Sequence, residues 1–216
     1  MKDDKPKHHK PNKHPQTEIA EARDTISQYL LNPKGEIEGL LLCDGMFVTF
    51  PPHLSRELAS LVKPQDEVVA VGRIEGPELM KGYAIINPET AMALRDTKPY
   101  PHDRSDASEP LKPLSVEGKI KHLKRDSRGR CNGAILDNGI ILEFPPHAGE
   151  TFVDWAKGDQ AVHAVGFGTS NHHGASVAVA MVGDSPDTLA PIRPDRPEPE
   201  KPKHRGAPEE EEMQGE

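Results

Sequence analysis

The densest run of reactive side chains in this sequence is cationic. Residues 119–130 read KIKHLKRDSRGR and place Lys119, Lys121, Lys124, Arg125, Arg128 and Arg130 on one short stretch with His122 among them. Ammonium and guanidinium groups at that density suit a phosphate backbone. Exposed hairpins also carry charge for solubility and edge protection, so both readings stand. A net charge of −8 opposes indiscriminate attraction to a polyanion, which confines any such role to this local surface. The remaining chemistry is sparse. His53 and His147 each follow a double proline, but no carboxylate, serine or cysteine recurs beside both, which favours packing or capping over catalysis. His172 and His173 are adjacent, and with His147 they have the right ligand type for a metal without any spacing that fixes a geometry. His8, His9 and His14 sit in a Lys- and Pro-rich arm that reads as solvated. No glycine-rich phosphate loop, zinc ribbon, nucleophile elbow or paired catalytic carboxylate occurs. The expectation is a non-enzymatic protein with no cofactor and no metal.

The elements that must position these residues come as a duplication. Residues 39–54, GLLLCDGMFVTFPPHL, return as GAILDNGIILEFPPHA at 133–148. The correspondence continues at a constant spacing: Ile26 matches Ile120, Gly35 matches Gly129, Lys63 matches Lys157, and Val71-Gly72 matches Val165-Gly166. An Asp-Gly or Asn-Gly pair between two apolar runs predicts a tight β-hairpin in each copy. In the first copy strands are expected over 25–31, 37–43, 46–50, 68–72 and 83–86. A short helix with Ser55 as N-cap carries the stripe Leu58, Leu61 and Val62, matched by Phe152, Trp155 and Ala156 in the second copy. The predicted organisation is a disordered Lys/His/Pro-rich tail (1–22), a first unit (23–95), a Pro-rich linker (96–114), a second unit (115–184) and a disordered, acidic-ended tail (185–216). The hydrophobic share of 34% and the 22 prolines fit small modules diluted by such segments. Cys43 and Cys131 fall at non-equivalent places and predict no disulfide. No apolar run is long enough to span a membrane and no secretory leader is visible, so a cytoplasmic location is expected.

Pairing across Asp44-Gly45 is expected to set Gly39 opposite Phe50, Leu41 opposite Val48 and Leu42 opposite Phe47. A phenyl ring over a strand glycine in both copies then suits a strongly coiled sheet that closes on itself. The predicted fold class is all-β: two tandem five-stranded barrels, each with a short helix between strands three and four. In element order, strand-two glycines and helix position the units resemble the OB-fold, and the repeated hairpin running into FPPH is similar to a tandem OB-fold type of uncharacterised bacterial proteins. That resemblance implies single strands or sugars bound on strands two and three, between the loops joining strands one–two and four–five. In the second unit those loops hold the cationic stretch and residues 169–174, with His172 and His173. Together they imply a rim for single-stranded RNA or DNA. The first unit has a short one–two loop (32–36) and two acids in its expected four–five loop (75–82). Leu40, Leu42 and Phe47 are expected on its outer face, as a surface for the other barrel, for a protein partner or for self-association. A protein-interaction module is therefore the competing reading.

Overall fold

The computed structural model describes residues 19–97, 110–157 and 160–192. The expected tails lie outside these residues apart from their inner ends, as does most of the linker. The first unit contains β1 (Ile19–Leu31), β2 (Ile37–Leu42), β3 (Phe47–Thr49), α1 (Ser55–Leu61), β4 (Glu67–Gly76), β5 (Leu79–Asn87) and β6 (Met92–Arg95). The second repeats it as β7 (Lys112–Arg125), β8 (Cys131–Leu136), β9 (Ile141–Glu143), α2 (Gly149–Lys157), β10 (Ala161–Asn171), β11 (Gly174–Gly183) and β12 (Ala190–Pro191).

Each unit is a closed five-stranded barrel. In the first, β3, β2, β1, β4 and β5 follow one another in the sheet and a parallel β3–β5 pairing shuts it; in the second, β9–β11 closes the ring in the same way. Closure depends on an over-long first strand. Residues 19–25 of β1 pair with β4, whereas 26–31 pair with β2, with a register break between Ile26 and Gln28. β1 thus starts at Ile19, inside the segment expected as tail, and β7 starts at Lys112, inside the expected linker. The four–five loops are also shorter than expected. Residues 79–82 belong to β5, and only Pro77-Glu78 and His172-His173 separate the paired strands. β6 and β12 are additional edge strands.

The hairpin register differs from expectation by one residue. Leu42 N donates to Met46 O and Gly45 N to Leu42 O, with Gly45 at φ +94° and Asp44 outside the positive-φ region. This is a turn closed by a single left-handed glycine, not a two-residue turn with both φ positive. The extra loop residue places Leu41 opposite Phe47, Leu40 opposite Val48 and Gly39 opposite Thr49. Phe50 therefore does not cover Gly39. It lies over Gly82, where an added Cβ would come within 2.5 Å of the ring. The second unit has Ser176 at that place, and Phe144 stacks instead on Phe152 with ring centroids 3.7 Å apart. Ser55 is not the N-cap: a single 3-10 turn (Pro52–Leu54) precedes it, and its hydroxyl accepts a hydrogen bond from Ile37 N at 2.8 Å, tying α1 to β2.

Alternation along β8 and β9 sorts side chains between two cores. Ala134, Leu136 and Leu142 belong to the core of the second barrel, while Ile135 and Ile141 pack into the core of the first. Their repeat counterparts Leu41 and Phe47 lie in that same cluster. The sheet faces formed by strands two and three of the barrels are therefore buried against each other. Leu40, Leu42 and Phe47 are all within 3% of full burial. Of the three residues expected on the outer face, Phe47 packs with Leu41 against the other barrel, one of the expected alternatives, while the slipped register turns Leu40 and Leu42 the other way, with Val48. None of the three is exposed to an outside partner. A shared core predicts shared unfolding. Ile135→Ala should cost about 2–5 kcal/mol and shift one common urea transition, followed by both tyrosine and tryptophan fluorescence. Loss of the second barrel alone, with the first still folded, would contradict it.

Candidate functional site

The cationic hairpin is built by β7 and β8 around a turn that both repeats share. Asp126 accepts from Arg128 N (2.9 Å) and Arg130 N (3.0 Å), as Asn32 accepts from Lys34 N and Glu36 N in the first barrel. Gly129 (φ +77°) and Gly35 (φ +81°) complete the two turns. Asp126 is also a charge partner: Arg130 Nη2 lies 2.7 Å from it and holds its carboxyl below the usual carboxylate range.

Lys124 has left the rim altogether. It occupies the position of Leu30 in the repeat and points into the inter-barrel seam. There its Nζ lies 2.6 Å from both Glu143 of its own barrel and Glu38 of the other. The three side chains are 13%, 20% and 25% exposed, so water screens this cluster little. Burial pulls the Lys124 ammonium down, but Glu143 and Glu38 together outweigh it and keep its pKa above the ordinary value. Burial raises Glu143 against the pull of Lys124.

The remaining expected site residues divide in two. Lys121, Arg125 and Arg128 are exposed, and none of them makes an ion pair among the described residues; Arg125 Nη1 only donates to Gly129 O at 3.1 Å. Lys119 is exposed and its backbone N donates to Asp137. His122 and His173 are half-buried, and burial lowers the pKa of each, aided by Lys121 for the first and by His172 for the second. His173 meets Tyr29 of the first barrel edge-on at 5.2 Å, while His172 is exposed. His173 thus helps to seal the seam against the first barrel. His53 Nε2 lies 3.0 Å from Thr97 O, a packing contact at the entrance to α1. Among the described residues no group of three His, Cys, Asp or Glu could hold a metal ion, and no helix is long and apolar enough to cross a membrane.

A cleft of about 310 Å³ opens where the hairpin faces the β4–β5 turn of the first barrel. Phe47, Leu79 and Leu123 form its apolar part, with Glu75 and Glu78 on one wall and Arg125 on the other. Sequence reading missed Glu78, Leu79 and Leu123. The signal was a difference between the copies: Tyr29 and His173 touch at one end of the seam, and their repeat counterparts at the other end are Leu123 and Leu79.

Comparison with known proteins found no matching family model, no matching curated protein and no matching solved structure.

Removing the buried cation isolates its electrostatic role. Lys124→Met would leave Glu38 and Glu143 facing each other unpaired, at a cost of about 3–5 kcal/mol near neutral pH. Burial raises Glu143, and protonating it relieves that repulsion, so the loss should shrink as pH falls. In the parent, the raised Lys124 pKa makes its contribution present at neutral pH and lost as pH rises through the folded value, above the usual lysine range. Urea titrations at pH 4 and 7 check this; an equal loss at both would mean that only packing was removed.

Proposed function

We propose that this chain is a non-enzymatic module that binds single-stranded nucleic acid along the exposed edge of the β7–β8 hairpin. The observation that carries the reading is the fate of the six cations. Lys124 is consumed by the seam and Arg130 by Asp126, yet Lys121, Arg125 and Arg128 are exposed with no carboxylate partner among the described residues. Unpaired cations on a rigid hairpin favour a phosphate backbone, because no existing ion pair has to break first. Two closed OB-fold-like barrels provide the rigid support. The usual strand two–three face is not available, since the barrels bury it against each other. Contacts then come from the loop edge, so binding is modest and strongly dependent on salt. The described aromatic residues are mostly buried, so stacking adds little.

A second reading, a protein-interaction module, keeps one supporting observation. Phe167 on β10 is 54% exposed and lies in register with Pro113 on β7 and Ala178 on β11.

Fluorescence anisotropy with labelled oligouridylate and oligothymidylate separates the two. Replacing Lys121, Arg125 and Arg128 together by Ser should weaken binding at least tenfold. It should also flatten the log K against log salt slope by roughly 2, at about 0.7 per phosphate contact on a single strand. The melting temperature should stay put, because none of the three supports the core. Unchanged affinity would reject the hairpin. No binding by the parent at low salt, with Phe167→Ser abolishing a dimer seen by light scattering, would favour the second reading.

A further inference from the structure

The two ends of the inter-barrel seam are equivalent by the repeat but differ in what fills them. At one end Tyr29 packs edge-on to His173, and Asn171 Nδ2 donates to Gly35 O at 3.3 Å. At the other end the counterparts are Leu123 and Leu79, Pro77 and Gly129. Two leucines fill less space than two rings, and proline has no side-chain amide to donate. One end is therefore sealed and the other is the 310 Å³ cleft, near the lower limit for a small-molecule pocket.

The cleft walls differ in charge and in what they have left to bind. Glu75 is taken up by Arg73 and Asp126 by Arg130. Glu78 is exposed and has no ion-pair partner among the described residues; it opposes the burial and the Lys121 charge that hold His122 below its usual range, so its charge is felt at the seam. Opposite it stands Arg125, one of the cations left for a phosphate. An ionised carboxylate only accepts hydrogen bonds. The acidic wall therefore repels phosphate and selects a group with adjacent N–H donors, while the arginine wall takes the anion.

We propose that this cleft receives one unstacked guanine base of a bound single strand, its N1–H and N2–H groups donated to Glu78, its ring between Leu79 and Leu123 over the edge of Phe47, and its adjoining phosphate on Arg125. Guanine is the base whose pairing edge presents two neighbouring donors. Adenine and cytosine place a ring acceptor beside their amino group, and uracil flanks its single N–H with two carbonyls, so each would set a lone pair against the carboxylate. The assignment rests on the nucleic-acid reading above and adds a base preference to it.

The test titrates the full chain with an oligouridylate and with the same strand carrying one central guanosine or one central adenosine. Guanosine should tighten binding about tenfold or more, the discrimination expected of a good bidentate contact, and adenosine should not. Glu78→Gln should abolish the guanosine advantage while leaving oligouridylate affinity and the melting temperature unchanged. Leu123→Trp, which fills the cleft, should likewise abolish the guanosine advantage. Equal affinity for all three strands, still lost on removing the hairpin cations, would overturn the guanine cleft and leave the nucleic-acid reading standing. An adenosine preference would also overturn it. Failure to bind any strand would overturn both.

Discussion

The mutual burial of two sheet faces governs this molecule. Leu41 and Phe47 on one barrel, and Ile135 and Ile141 on the other, share a single apolar cluster. Each barrel alone has few strands and a small interior, and small cores are marginal in stability. Joining them converts a second face of the central strands into core and makes the pair one body. The same contact decides which surfaces are left for ligands. The face on which OB-like barrels usually present strands two and three is enclosed, which leaves the loops and the ends of the seam as the open surfaces.

Much of the fold was legible in the sequence because duplication doubles every local signal. The Asp-Gly and Asn-Gly turns, the double prolines and the helix stripe each occur twice at the same spacing, and the structure has two closed five-stranded barrels where two were expected. What failed to show was register. Whether Gly45 alone or both turn residues take positive φ shifts the pairing by one residue, and sheet alternation then sends Phe47 to the other set of side chains. Composition cannot settle that choice, since Leu40, Leu41 and Leu42 are the same residue type. The early start of β1 was hidden for another reason. Residues 20–23 alternate small and charged side chains, Arg23 and Asp24 are adjacent charges, and only pairing with β4 makes this segment a strand.

The site was legible as a density of charge but not as a distribution of it. Cations a few residues apart look equivalent in sequence. In the fold, Lys124 lies where its counterpart is Leu30 and is neutralised by carboxylates from both barrels, one of them distant in the chain. Arg130 is held by Asp126 within the same turn, whereas Arg125 and Arg128 are left to solvent. Which cation remains available depends on long-range neighbours. Lys124–Glu38 and Tyr29–His173 could be found only in three dimensions.

The Lys124 cluster also means that the two halves are no longer interchangeable. Glu38 has Asn132 as its counterpart, and Lys124 has Leu30. Two first-type barrels docked in this arrangement would press each Glu38 against a leucine, with no ammonium to neutralise it. Two second-type barrels would set each Lys124 beside an amide, with only its own Glu143 for company. Charge complementarity across the contact thus needs one barrel of each kind, and neither half can stand in for the other.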